Sequence, residues 1–257
     1  MSNEEIRERY VRDFLPRVSV KKLGGRTGVR SFYQRELHSI FASPVSESWR
    51  TLLEVGCGPT VANIFPATRK IRSIVLSDLV PRNIEEVEKW VEKAPDAMDL
   101  SFMSEPLAIL EGYKDAKIGV EDIEERTRAA VKKVISCDVL NPSVLPEGHR
   151  EAFDVVLSSL CLQSASQDET SYQRATRNVS SLIRKRGHLI LCGIAGSTDY
   201  TVGDVTFPEV CLSKAMVEDA LSRSGLEIKR WSSLDNPVSS ESQKRWDFAF
   251  VVLAEKL

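Results

Sequence analysis

A glutamate, two glycines and a distant aspartate are the residues of this chain best spaced to do chemistry. Thr51-Leu-Leu-Glu-Val-Gly-Cys-Gly-Pro-Thr60 reads as an apolar strand reaching Glu54, then Gly56 and Gly58. Glycine there lets backbone approach a ligand with no Cβ in the way. Ile74-Val-Leu-Ser-Asp78 repeats the plan, with a carboxylate at the strand end. An acid about twenty residues after a glycine turn is the spacing of a nucleotide-type cofactor site. Its two oxygens can accept hydrogen bonds from both ribose hydroxyls.

The glycine turn also says which cofactor to expect. A dinucleotide fingerprint has a third glycine opening the helix, so that pyrophosphate can sit on the helix N-terminus. Counting from Gly56, that position is Val61, and Pro59 and Thr60 fill the turn. Nothing there favours a pyrophosphate. The pattern Glu54-x-Gly56-x-Gly58 suits S-adenosylmethionine, which has no phosphate and carries a positive amino group.

These residues need a parallel sheet behind them, and further strands follow in order. Lys133-Val-Ile-Ser-Cys-Asp138 is a third strand ending in an acid, placed to meet an adenine edge. Phe153 to Ser159 is a fourth, with Leu160-Cys-Leu162 as a floor, and Gly187 to Gly193 is a fifth. Asp78, Asp138 and Ser159 all fall at carboxyl ends, where open α/β sheets bind ligands. Singly, each is equally well a solvated strand-end residue. Helices are expected from about Arg82 to Glu92, from Ile118 to Lys132 inside an insertion, and from Asp168 to Leu182. Gly203-Asp204 reads as a hairpin turn. Ser213 caps a helix that Gly225 closes. Leu226 to Trp231 and Phe248 to Leu253 are the last strands. Ahead of the sheet, residues from about 4 to 42 carry helical periodicity broken by Pro16 and Lys22-Leu-Gly-Gly-Arg26. They read as an N-terminal helical cap (1–47) on a core (48–257) of one domain, with a hairpin insertion near 197–208.

Composition narrows the class. The chain has 257 residues and a formal net charge of −2, against a nucleic-acid-binding surface. Arg184-Lys-Arg186 reads as a cationic helix end. The five cysteines show no CxxC and no pairing with the three histidines, so neither zinc nor a disulfide framework is indicated. The N-terminus lacks a signal-peptide core, and no apolar run approaches membrane-spanning length. A soluble, cytoplasmic, monomeric protein is expected.

With the strands placed, the chain resembles the small-molecule N-methyltransferase family that includes the nicotinamide, phenylethanolamine and indolethylamine enzymes. The resemblance rests on Glu54-Val-Gly-Cys-Gly-Pro-Thr60, Ser77-Asp78, Asn83, Val87-Glu-Lys-Trp-Val91, Cys137-Asp-Val139, Leu157-Ser-Ser-Leu-Cys-Leu162, Arg177-Asn178 and Ala254-Glu-Lys256. It covers nearly everything beyond about residue 50, and more weakly Phe14 to Arg17. It implies a Rossmann-like, mostly parallel seven-stranded sheet with helices on both faces. It also implies that Gly56, Cys57, Asp78, Asn83, Asp138, Val139 and Ser159 hold S-adenosylmethionine, with Gly58 and Thr60 completing the loop.

Departures from the family bear on the acceptor. The family's cap tyrosines match positions near Ser19 and Gly24, or Pro16 and Val20, and none lies between Tyr10 and Tyr33. Ala62 stands where the nicotinamide enzyme has a tyrosine. Gln163 stands where an acid often occurs, Gly193 matches an aspartate, and Glu209 matches a serine. The family's hairpin serine and tyrosine correspond to Ser197 and Tyr200. The implied reaction is methyl transfer to the nitrogen of a small amine, with nicotinamide not expected as substrate. Asp204, Glu209, Asp199 and Asp247 lie on elements expected over the pocket and are candidate proton acceptors; a solvated loop acid is the ordinary alternative for each. Tyr200, Asp204 and Glu209 are taken as the catalytic set, and Gln163, Ser197, Tyr200 and Asp247 as substrate-binding. Two other readings stay open: a sulfur or other soft acceptor, and a non-catalytic S-adenosylmethionine-binding protein.

Overall fold

A computed structural model describes residues 2–25, 27–149, 152–238 and 245–257. Three helices come first: α1 (Asn3–Asp13), α2 (Pro16–Gly25) and α3 (Thr27–Ala42). Ser2 and Glu5 form a capping box at the start of α1. Pro16 does not end a helix. It opens α2, a position where its missing N–H costs nothing.

The core runs β1 (Thr51–Val55), a 3-10 stretch (Ala62–Arg69), β2 (Ser73–Asp78), α4 (Pro81–Val91), α5 (Ser101–Leu110), α6 (Ala116–Ala130), β3 (Val131–Ser136), β4 (Phe153–Ser159), α7 (Cys161–Ser164), α8 (Glu169–Ser180) and β5 (Ile183–Ala195). A hairpin of β6 (Asp199–Val202) and β7 (Val205–Pro208) follows, then α9 (Lys214–Arg223), β8 (Leu226–Asp235) and β9 (Phe248–Lys256). The sheet has seven strands in the order β3-β2-β1-β4-β5-β9-β8. The first five are parallel, and β9 runs antiparallel to both β5 and β8. Strand order reverses at β1, which lies between β2 and β4. A ligand crevice opens at the carboxyl ends beside such a reversal.

Strand alternation builds two apolar layers. Leu52, Ile74, Leu76, Val155 and Ile190 face α3, α4, α5 and α6. Leu53, Val75, Val156, Leu189 and Leu191 face α8 and α9. Both faces are covered, so the central strands read as continuous apolar runs rather than alternating ones. A third cluster ties the cap to the hairpin: Ile6 and Tyr10 from α1, with Phe14 just past its end, meet Val80, Val202 and Phe207. Their spacing of four puts them on one stripe of the helix. Each buried side chain of that size is worth about 1.5–3 kcal/mol, enough to hold a short helix on the core.

Several expectations shift. The helix-compatible segment after the glycine turn is a 3-10 helix containing Pro66. The insertion holds α5 as well as α6. Arg184 and Arg186 are not a helix cap. They lie in β5 and pair with Asp154 and Glu255 at 2.7 Å each. Gly203 takes the left-handed conformation (φ 59°) in the turn between β6 and β7, as the hairpin reading requires.

Candidate active site

The site is built on the loop after β1. Gly56 and Gly58 have φ values of 70° and 64°, a region that strongly favours glycine. A Cβ on Gly56 would lie 2.2 Å from the Cys161 sulfur, whereas one on Gly58 would meet nothing within 4 Å. Gly56 is thus demanded by packing, and Gly58 leaves an open face toward the crevice. The N–H groups of Gly56 and Cys57 both donate to the Ser77 carbonyl, at 2.8 and 2.9 Å. This fastens the loop to β2, one residue before Asp78.

Asp78 is buried, and its carboxylate organises the crevice. Oδ2 accepts from the Gly58 N–H at 2.7 Å. Oδ1 accepts from the Val80 N–H at 2.9 Å and from Asn83 Nδ2 at 3.0 Å. Burial lifts its pKa above the ordinary value, while the donors of Val80, Asn83 and Gly58 pull the other way. Glu54 is fully buried one strand over. Asn63 Nδ2 donates to its Oε1 at 2.8 Å, and burial pushes the carboxyl up to about 8. Its Oε2 and the Oδ1 of Asn83 are buried with no partner among the described residues. Unmet acceptors in a native site call for an explanation, and a ligand rich in donors supplies one. Thr60 and Cys57 are buried in the same loop.

At the far wall, Asp138 lies just beyond β3. Its Oδ1 accepts from the Leu140 N–H at 3.0 Å, and its Oδ2 pairs with Arg7 Nε at 3.0 Å. Val139 is buried, and its carbonyl accepts from Asn178 at 2.9 Å. Ser159 ends β4 opposite Cys192 of β5.

The opposite end holds a polar cluster. Gln163 is buried; the Ile194 N–H donates to its Oε1 at 2.9 Å, and its Nε2 donates to Glu209 Oε2 at 3.0 Å. Ser164 Oγ reaches the same Glu209 oxygen at 3.4 Å. Tyr10 donates its phenol to Tyr200 at 2.7 Å, and its ring stacks on Phe207 at 4.6 Å between centroids. Burial raises both phenol pKa values, and the Glu209 carboxylate adds to the rise. The negative charge of Asp78 also raises Tyr200, by less than burial does.

Not every expected residue joins this cluster. Ser197 is buried, but its hydroxyl turns back to the Asp199 carbonyl at 3.1 Å. Asp199 and Asp204 are exposed on the hairpin. Asp204 sits in the turn, where its neighbour Gly203 packs near Val18 and Leu15 of the cap. Asp247 is exposed too, its carboxylate lying against Gly196. Of the four candidate acids, Glu209 alone is part of the tyrosine cluster.

Tyr10, Ser164, Tyr33 and Arg7 were not singled out by sequence reasoning. Tyr10 sat in plain view as the middle of the Ile6–Tyr10–Phe14 stripe, but a stripe at helical spacing reads first as core. Ser19 and Gly24 both fall in α2, and the tyrosines at the site come instead from α1 and α3. Tyr33 donates to the Gly193 carbonyl at 2.8 Å. Gly193 has no room for a side chain: a Cβ would lie 2.3 Å from the buried Phe250 ring.

A sequence model of the NNMT/PNMT/TEMT family matches residues 6–257. The chain is 32% identical to nicotinamide N-methyltransferase of Homo sapiens, covering 80% of this chain and 76% of that one. Phenylethanolamine N-methyltransferase of Homo sapiens is also 32% identical, over 79% and 71% of the two chains. Indolethylamine N-methyltransferase of Oryctolagus cuniculus is 32% identical, over 86% and 82%. Among solved structures, magnesium protoporphyrin IX methyltransferase from Synechocystis PCC 6803 with bound S-adenosylmethionine superposes with a TM-score of 0.59 at 12% identity, over 100% and 98%. A methyltransferase of Leishmania major gives 0.63 at 12% identity, over 98% and 82%. At such identity these two establish the fold alone. The glycine loop, the buried Asp78 and the unmet acceptors of Glu54 and Asn83 fit S-adenosylmethionine, a donor-rich cation without phosphate. The chain belongs to the NNMT/PNMT/TEMT family and is an S-adenosylmethionine-dependent small-molecule methyltransferase.

Proposed function

We propose that this chain methylates the nitrogen of a small alkyl or arylalkyl amine that arrives as a cation, with Glu209 as its counter-charge. N-methylation is the reaction in the names of its nicotinamide, phenylethanolamine and indolethylamine relatives. The observation that carries the choice of amine is the hold on Glu209. Gln163 and Ser164 engage one carboxylate oxygen, and Tyr10 and Tyr200 lie close beside it. In this reading the second oxygen, Oε1, takes the amine. An ammonium fits such a group by a charge-assisted hydrogen bond.

S-adenosylmethionine supplies, when bound, a methyl group already activated toward a nucleophile. The protein's task is therefore mainly proximity and orientation. In this reading Asp78 accepts the ribose hydroxyls, Asp138 and Val139 border the adenine, and Gly56, Cys57, Gly58, Thr60, Asn83 and Ser159 complete the cofactor surface. Glu209 accepts the proton that the amine must lose before its lone pair can attack. Tyr200 orients the amine between Glu209 and the cofactor, and Gln163 sets the carboxylate by bridging it to β5.

Nicotinamide fits poorly. Gly193 leaves no carboxylate at the end of β5, and Phe250 leaves no room for one. We further read the protein as a cytoplasmic monomer with no nucleic-acid partner. The net charge of −2 speaks against a nucleic-acid partner, and among the described residues no helix is long and apolar enough to cross a membrane. A panel of amines, pyridines and thioethers with methyl-labelled S-adenosylmethionine tests the acceptor. Label on an alkyl or arylalkyl amine supports the reading. Label chiefly on a pyridine or a thioether overturns it, and binding without turnover points to a non-catalytic role.

A further inference from the structure

Glu209 takes both of its side-chain donors from neighbours on the short helix α7. Gln163 Nε2 donates to Oε2 at 3.0 Å, and Ser164 Oγ reaches the same oxygen at 3.4 Å. The helix starts from a strained turn, since Leu160 before it is a bulky residue at φ 62°. Such strain persists where the surrounding structure requires the placement it gives. The two donors differ in what stands behind them. Gln163 is anchored to β5, where its Oε1 accepts from the Ile194 N–H at 2.9 Å. Ser164 instead stands within hydrogen-bonding reach of the Tyr10 and Tyr200 phenols. The directions of these bonds follow from counting protons. An ionised carboxylate only accepts, so Ser164 gives its one proton to Glu209 and can only accept from a phenol. Tyr10 gives its proton to Tyr200 at 2.7 Å, so Tyr200 is the donor to Ser164. Three hydroxyls therefore point, one after another, at a single carboxylate oxygen.

We propose that Ser164 is a positioning residue of the acceptor site, whose hydroxyl keeps Glu209 ionised and turned so that its Oε1 meets the amine. This rests on the reading of Glu209 as the proton acceptor. Gln163 is fixed at both ends and sets where the carboxylate lies. Ser164 is the group through which the tyrosines act on it. A donor to the ionised form of a carboxylate favours that form. Hydrogen bonds in a chain polarise one another, so the phenols strengthen the serine's donation. At 3.4 Å the Ser164 contact is loose, as bonds at catalytic groups often are before substrate binds. The proton lost by the amine ends on Glu209 Oε1, and Ser164 keeps its own throughout.

The full chain is assayed across pH with the arylalkyl amine that the acceptor panel shows to be methylated fastest. Ser164→Ala lowers kcat about three- to tenfold, and the acid limb of its profile moves up by about half to one pH unit. Burial raises both phenols, so neither titrates along that limb. Ser164→Thr keeps the hydroxyl and restores rate and profile, which a purely space-filling role would not explain. In a Glu209→Gln background Ser164→Ala brings no further change, because a neutral amide has no ionised form to favour. Affinity for S-adenosylhomocysteine, read by calorimetry, stays that of the parent in Ser164→Ala. If Glu209→Gln is impaired while Ser164→Ala keeps the parent's rate and profile, the role of Ser164 is wrong and the acceptor reading stands. A fall of about tenfold or more in S-adenosylhomocysteine affinity also overturns it, since Ser164 would then serve the cofactor. If no amine is methylated, or Glu209→Gln methylates it as the parent does, the acceptor reading falls and the role of Ser164 with it.

Discussion

Asp78 carries two jobs that are separable by experiment. It accepts from Gly58, Val80 and Asn83, and so shapes the glycine loop; in our reading it also takes the ribose hydroxyls. Asp78→Ala is expected to weaken S-adenosylhomocysteine binding by about 2–4 kcal/mol in calorimetry. It also strands three donors, so a modest fall in melting temperature should accompany the loss. Unchanged affinity would show the ribose lies elsewhere. Glu54 gives a pH signature. Its folded pKa of about 8 lies above the ordinary value of 4.5 because the carboxyl is fully buried. The folded chain therefore binds more protons there than the unfolded chain between these values. Linkage then makes its contribution to the ligand-free protein's stability fall as pH rises from about 4.5 through about 8. Glu54→Gln should flatten that slope in a series of thermal melts; an identical pH profile in the variant would contradict the assignment. Glu54 and Asp78 were legible in the sequence because acids at the ends of apolar strands stand out. Arg7 was not, because a charged residue on an amphipathic helix has no sequence feature that names its distant partner.

The elements were legible where periodicity is strong and blurred where tertiary packing overrides it. Strands β1, β2 and β4 are apolar runs closed by turn residues, and their positions follow directly. The 3-10 stretch after the glycine loop was not foreseeable as such, because it packs Ile64, Phe65 and Ala67 into the core with Pro66 among them. Strand β5 begins earlier than its apolar stretch because Arg184 and Arg186 find partners on β4 and β9. A basic run looks like a helix end until those partners are placed. The same two strands explain why Gly193 is glycine. Phe250 on β9 lies opposite Gly193 on β5 and fills the space of a Cβ. Gly193→Ala should cost about 1–3 kcal/mol in denaturant unfolding through overpacking of a buried ring. A midpoint equal to that of the parent would mean that Phe250 yields freely.

At the scale of the whole molecule, a common sheet carries what we read as a cofactor end and an acceptor end. The cofactor end is built from the strand-end residues by which the family was recognised. The acceptor end, in our reading, comes from the cap, α7 and the hairpin region, where Tyr10, Gln163, Ser164, Tyr200 and Glu209 meet across three separate stretches of sequence. No local pattern spells out such a meeting, which is why Asp204 and Asp247 looked as good as Glu209 before the fold was seen. S-adenosylmethionine binding should raise the melting temperature by mass action, and NAD should not. The most direct measurement of the account is methyl transfer to an arylalkyl amine and to nicotinamide, by the parent and by Glu209→Gln. Turnover of the amine, little of nicotinamide, and a loss of about tenfold or more in kcat/KM for the amine in the variant are expected. A variant that methylates the amine as well as the parent does, or a parent that prefers nicotinamide, would contradict it.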